Sequence, residues 1–291
     1  ERPWATVYRV PTEKGDFYFK AQTSLLTNES RLLPYLVRHF PQWLPTLAGV
    51  DTEQGYLLLR SAGVSLRSLF QADKSLHYWE EILPRYATIQ KQLIPHTSEI
   101  LSLGVMNRNT DTLTEQFTEL LGNRKAMFIG TSEGLTEEEY QEAIALLPTL
   151  KRQCQTLIGY GIPDTLNHDD FHDGNIHVQE GEYRFIDWGD SCISHPFFTV
   201  EITLRVVAYG LDCEESDARI LALRDVYLQQ WAEYAPLEVL RDAYGIARKV
   251  LGMNRALTWW YSCAGQESPY QVEEMLSVSR WVKQVLELAK E

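Results

Sequence analysis

The sequence predicts an α+β chain in which a small antiparallel sheet comes first and a larger, mainly helical part follows. Three observations predict it. Short alternating strands separated by turn residues crowd into roughly the first 62 residues. From residue 66 onward, apolar residues recur at helical spacing. The helical part is interrupted at residues 168–190 by a polar hairpin rich in Asp, His and Asn. A length of 291 residues suffices for one large domain or two modest lobes with a real core.

In chain order, residues 6–10 and 17–20 read as a hairpin around Thr12-Glu13-Lys14-Gly15. Alternation puts Phe17 and Phe19 on one face and Tyr18 and Lys20 on the other. A lysine ending an otherwise aromatic strand is odd if that face is simply core, although an edge lysine facing water would read the same. Asn28-Glu29-Ser30 opens a helix to residue 40, with Leu32, Leu33, Leu36 and Val37 as its apolar stripe and Pro34 in its first turns. Residues 46–50 and 56–60 form a further hairpin. Ser61-Ala62-Gly63 then breaks the apolar run before the helices begin.

The helical part starts with residues 77–93 and a shorter helix over 112–121. A helix over 135–157 opens on the capping box Thr136…Glu139 and is expected to break or kink near Pro148. Gly159 and Gly161-Ile162-Pro163 lead into a short extended run at 165–167. Helices are expected again at 197–209, 214–234, 236–263 and 269–290. The last has Ser268 as its cap, Pro269 in its first turn, and Val272, Met275, Leu276, Trp281, Val285 and Leu286 as its buried stripe.

Residues 168–175 read His-Asp-Asp-Phe-His-Asp-Gly-Asn, and residues 186–190 read Ile-Asp-Trp-Gly-Asp. The apolar runs 176–178 and 183–186 fold back at a turn containing Gly181, carrying Asn175 and Asp187 to the same mouth. Oxygen ligands of this kind suit a hard cation such as Mg²⁺, which leaves coordination places for water and phosphate. Asp170 remains free to orient, or accept a proton from, an attacking hydroxyl. This is phosphotransferase chemistry.

The pattern resembles the Brenner-type motif of the aminoglycoside phosphotransferase and choline kinase group, His-x-Asp-x-x-x-x-Asn with a later Asp. The resemblance implies a bilobal protein-kinase-like fold, with a five-stranded N-terminal nucleotide-binding lobe (residues 1–62). A helical C-terminal lobe (63–291) would carry the catalytic loop and acceptor site. It makes Asp170 the catalytic aspartate, Asn175 and Asp187 the metal ligands, Lys20 the phosphate-holding lysine and Glu29 its helix partner. Ala62 would offer its backbone to the adenine edge, and Thr6 its hydroxyl to the phosphates. The loop at residues 2–7 has no glycine, and Tyr18 is bulky beside the presumed purine site, so the donor is ATP or GTP. Two departures stand out. Asp169 replaces the family's usual Gly and Asp173 a common Pro, adding charge expected to alter substrate preference or weaken binding of the anionic nucleotide. His195-Pro196 stands where relatives often carry Asp-Pro.

Other readings compete. A binding module without turnover would also tolerate a glycine-free phosphate loop. The His and Asp cluster could serve a transition metal, although its order matches no zinc motif. His168 and His172 are expected to bond backbone carbonyls. Adjacent residues on a helix diverge, so Trp259-Trp260-Tyr261 reads as core packing and not as an aromatic cage. Asp190 is either a loop cap or a group near metal water or substrate. A formal net charge of −13 argues against a nucleic-acid partner, which needs basic patches. Four dispersed cysteines suit free thiols in a reducing cytoplasm, and no apolar run reaches membrane-spanning length. The chain opens without a signal-like segment. The expected partner is a small hydroxyl-bearing molecule.

Overall fold

The computed structural model describes residues 5–22, 28–263 and 271–290, without the side chains of 271–273. Strands β1 (Ala5–Thr12) and β2 (Gly15–Gln22) pair antiparallel, with Val7 opposite Lys20. Helix α1 (Asn28–His39) follows, and its Leu32, Leu33 and Leu36 are fully buried. Strands β3 (Leu47–Asp51) and β4 (Tyr56–Arg60) complete a four-stranded antiparallel sheet of order β1-β2-β4-β3. Five strands were expected in this lobe, but among the described residues the sheet has four; the next strand, β5 (Val64–Ser65), does not join it. It pairs instead with the hairpin that follows the catalytic loop, because the chain has already crossed the cleft at Gly63.

The helical part runs through α2 (Leu66–Asp73), α3 (His77–Leu93), α4 (Thr97–Ser102), β6 (Met106–Asn107) and α5 (Leu113–Gly122). Helix α6 (Glu137–Gly159) has the expected capping box, Thr136 and Glu139 exchanging both bonds. It is not broken at Pro148. That residue lies on the exposed face, where water can satisfy the carbonyl that proline leaves without a donor. After β7 (Thr165–Asn167) come the hairpin strands β8 (Ile176–Gln179) and β9 (Glu182–Phe185), then β10 (Cys192–Ser194). Helices α7 (Phe197–Gly210), α8 (Ala218–Leu228), α9 (Leu237–Cys263) and α10 (Gln271–Leu288) close the chain. The helix expected over 214–234 is shorter, Asp217 capping it by accepting from the Arg219 N–H. The Ser268 cap and Pro269 lie outside the described residues, as do Arg2, Pro3 and Trp4 of the phosphate loop.

The architecture is the expected bilobal α+β fold. An antiparallel sheet with one helix is joined to a mainly helical body whose core includes the buried Trp79, Tyr86, Phe171, Phe197 and Trp231. Two small sheets, β6-β10-β7 and β5-β8-β9, lie under the cleft and position the polar hairpin. Tyr86 stacks on Phe171 with ring centroids 4.1 Å apart. Phe171 meets Phe185 edge-on. This aromatic column holds the loop at residues 168–175 from below, leaving its polar residues at the surface of the cleft.

Candidate active site

The hairpin register delivers what the spacing predicts. Ile176 pairs with Phe185, and the Ile186 N–H donates to the Asn175 carbonyl at 2.9 Å. Asn175 thus stands one residue out of register with Asp187, at the same mouth. Asp187 sits in the left-handed region (φ 64°), which aspartate tolerates better than most residues. Its neighbour Trp188 packs inward against His168.

Lys20, almost fully buried, forms an ion pair with Glu29 at 2.6 Å and a direct hydrogen bond to the carboxylate of Asp187. Burial alone would lower the lysine pKa, but Asp187 and Glu29 outweigh it and raise it. Glu29 is also fixed by Gln22 Nε2 at 3.1 Å and by the Trp188 N–H at 2.9 Å. Burial raises the Glu29 pKa, with Lys20 opposing. Lys20 is the main cause of the depressed Asp187 pKa. Helix α1 is thereby tied across the cleft to the chain just after the hairpin.

On the opposite wall, Asn175 Nδ2 donates to the Asp170 carbonyl at 2.9 Å and to its carboxylate at 3.3 Å. These bonds orient the amide and leave its oxygen without a donor among the described residues. Asn175 Oδ1 and the second oxygen of Asp187 make an amide and carboxylate pair suited to a hard divalent cation. Asp170 is held by His172 Nε2 at 3.3 Å and Arg255 Nη2 at 3.5 Å. Burial would raise its pKa, but the hydrogen bond from His172 and the charge of Arg255 bring it below the ordinary range. His168 does bond a backbone carbonyl, Nε2–H donating to Ile186 O at 2.8 Å. His172 differs from expectation: it faces the Asp170 carboxylate, and its Nδ1 accepts from the Gly174 N–H at 3.0 Å.

The two extra acids do not confront the cleft as free charge. Asp169 is buried at φ 65°. Its carboxylate accepts from Asn254 Nδ2 (2.6 Å), Arg255 Nη1 (3.0 Å) and Thr258 Oγ1 (2.7 Å), all on α9. Asp173 is paired with Arg67, Nε and Nη2 approaching the same oxygen at 2.9 and 2.8 Å. The sequence hides this because the partners are remote; Asp169 and Arg255 are 86 positions apart. A signal was nevertheless present. Asn254, Arg255 and Thr258 are polar residues in the otherwise apolar, buried middle of a long helix.

A cleft opens between sheet and helical body, lined by Val7, Tyr18, Lys20, Leu59, Ala62 and Ile186, among others. Its apolar lining suits a flat heterocycle. The Ala62 backbone N–H and C=O have no partner among the described residues. Gly63 (φ +94°) lies so close to β8 that a Cβ there would be 2.1 Å from the Val178 carbonyl oxygen. Thr6 is the expected site residue that the structure does not bring to the others. Val7, on the same strand, pairs with Lys20 and faces the cleft, so Thr6 points to the other side of the sheet. A second, smaller opening is lined by Lys20, Asp170, Asp187, Asp190 and Trp259, so Trp259 faces the reacting groups, contrary to the core-packing expectation. Among the described residues no His/Cys/Asp/Glu group of three is arranged to hold a metal, and no helix is long and apolar enough to cross a membrane.

Residues 107–237, which include this loop and hairpin, match the phosphotransferase enzyme family. The family resemblance read from the motifs is borne out. Solved structures agree in fold. An ethanolamine kinase of Plasmodium vivax superposes with a TM-score of 0.61 at 12% identity, over 99% of this chain and 79% of its own. Choline kinase LicA from Streptococcus pneumoniae gives 0.60 at 14%, over 98% and 90%. The APH(2″) enzyme solved with GDP and kanamycin gives 0.58 at 16%, again over 98% and 90%. No curated protein matches the chain by sequence.

Proposed function

We propose that this phosphotransferase-like protein moves the γ-phosphoryl group of a Mg²⁺-bound ATP or GTP to a hydroxyl of a small molecule. The observation that carries the reading is the convergence of Lys20, Glu29 and Asp187 with Asp170 and Asn175 at one cleft mouth. The GDP bound by one structural neighbour supports a nucleotide donor. A bound Mg²⁺–nucleotide would supply the electrophilic phosphorus and neutralise part of its charge, with Asn175 and Asp187 as the residues fit to hold the ion. Lys20, steadied by Glu29, offers its ammonium to the phosphates. The backbone of Ala62 meets the base, with the lobe boundary at this turn. Thr6 drops out of the phosphate site on the strand alternation given above.

Asp170 does the remaining work. Its carboxylate, ionised and fixed by Asn175, His172 and Arg255, accepts the hydrogen bond of the attacking hydroxyl and sets its line of approach. As the hydroxyl oxygen bonds to phosphorus and the β–γ bridge breaks to release the diphosphate, the hydroxyl proton passes to Asp170. A carboxylate this acidic is a weak base in the ground state, so the proton moves late and orientation is the larger contribution.

The test is nucleoside diphosphate release from ATP and from GTP across a panel of small alcohols, with Asp170→Asn as the blank. Acceptor-dependent release that falls on the order of 10²–10⁴-fold in Asp170→Asn supports the reading. Mg²⁺-dependent nucleotide binding with no release from any acceptor would return the protein to the class of binding modules.

A further inference from the structure

Two arginines are buried among the described residues, Arg108 and Arg255. Their surroundings differ sharply. Arg255 meets the carboxylates of Asp169 and Asp170. Arg108, only 2% exposed, makes no ion pair among the described residues. Its Nη1 donates to the neutral Gln116 Oε1 at 2.8 Å, its guanidinium lies 4.7 Å from the Tyr261 ring centroid, and its Nε has no partner. Burial lowers its pKa, with Cys192, Tyr261 and the Asp169 carboxylate opposing without outweighing it. A buried cation so weakly compensated is costly.

Arg108 lines a narrow opening with Met106, Gly189, Asp190, Cys192, Thr258, Tyr261 and Ser262. Gly189 and Asp190 also wall the opening that contains Asp170, Asp187 and Lys20. The two spaces therefore adjoin, sharing Asp190, whose carboxylate has no hydrogen bond or ion pair among the described residues. A molecule entering from the reaction centre meets Asp170 first, Asp190 next and the Arg108 guanidinium last.

We propose that the acceptor is a carboxylate-bearing alcohol whose carboxylate docks on Arg108 while its hydroxyl faces Asp170. This rests on the phosphotransferase reading for the role of Asp170, but the anion site does not. The space beside Arg108 is too narrow for a sugar ring, and the planar guanidinium fork matches a carboxylate in shape as well as charge. Thr258 and Ser262 hydroxyls stand at the same wall. Asp190 favours an acceptor with a hydrogen-bond donor, such as an ammonium or second hydroxyl, between its two ends.

The experiment uses matched pairs that differ by the carboxylate: glycerate against glycerol, and homoserine against 3-aminopropan-1-ol. Calorimetric binding and diphosphate release are measured on the wild-type protein, on Arg108→Gln and on Ser262→Asp. The second variant offers Arg108 an internal carboxylate, so it competes with the ligand without stranding the cation. The acid of at least one pair is expected to bind and turn over better than its partner. That advantage should shrink roughly 10–100-fold, through KM, in both variants. If neither acid binds better than its partner, the inference is overturned whatever the turnover. Turnover of the uncharged or cationic partners that ignores Arg108 overturns it while leaving the phosphotransferase reading intact. Arg108-dependent binding of an acid with no diphosphate release from any acceptor keeps the anion site and overturns the phosphotransferase reading instead.

Discussion

Asp190 has no hydrogen bond or ion pair among the described residues. Burial first, and then the negative field of Asp170, raises its pKa from 3.8 to about 7, Arg255 opposing. The sign follows directly. A carboxyl that binds its proton more tightly when folded contributes stability fully present below pH 3.8 and lost as pH rises to about 7. Asp190→Asn is therefore expected to be more stable than wild type at pH 8 without nucleotide, the difference vanishing toward pH 4. Parallel urea midpoints at all pH values would refute it. Arg255 makes the opposite case. Arg255→Met strands the buried Asp169 carboxylate and is expected to cost roughly 3–5 kcal/mol by urea unfolding; an unchanged midpoint would sink the pairing. Legibility at this scale followed sequence distance. Asp170, Asn175 and Asp187 could be read because one hairpin carries them. Asp169 and Asp173 were misjudged because the cations that neutralise them come from α9 and α2.

Hairpins and helices were legible wherever periodicity and a turn or capping residue agreed. The β1–β2 pair, the capping box of α6 and the β8–β9 hairpin fall where expected. Elsewhere context overrode the local signal. Pro148 does not break α6 because its defect faces solvent, and the first sheet stops at four strands, β5 joining the second sheet because the chain has already turned at Gly63. That turn is testable. Gly63→Ala needs a side chain 2.1 Å from the Val178 carbonyl oxygen, at a φ of +94°. It is expected to cost roughly 1–3 kcal/mol in backbone strain and to raise the nucleotide KM with less change in kcat. Wild-type stability and KM in that variant would mean the turn yields without consequence.

At the scale of the molecule, one bridge between the lobes is a short chain of polar contacts at the cleft: Lys20 to Glu29 and Asp187, and Glu29 to the Trp188 amide. Ligand held across this junction stabilises only the folded form. Mg²⁺–nucleotide at 100 times its Kd is thus expected to add about 2.7 kcal/mol and raise Tm. In Asp187→Ala the increment should lose its dependence on Mg²⁺; a shift that still needs the ion would remove Asp187 from the metal site. The two-part architecture was legible because strand and helix periodicities segregate along the chain. The opening beside Arg108 was not, because residues from β6, α9 and the turn after β9 meet there only in three dimensions.

The Asp169–Arg255 pair also bears on how such a chain can be inherited. A glycine at position 169 accepts the left-handed backbone at no cost but leaves Arg255 only the more distant carboxylate of Asp170. An aspartate without the arginine is worse. The two positions are expected to change together across a lineage, so the catalytic loop cannot be transplanted without its matching helix.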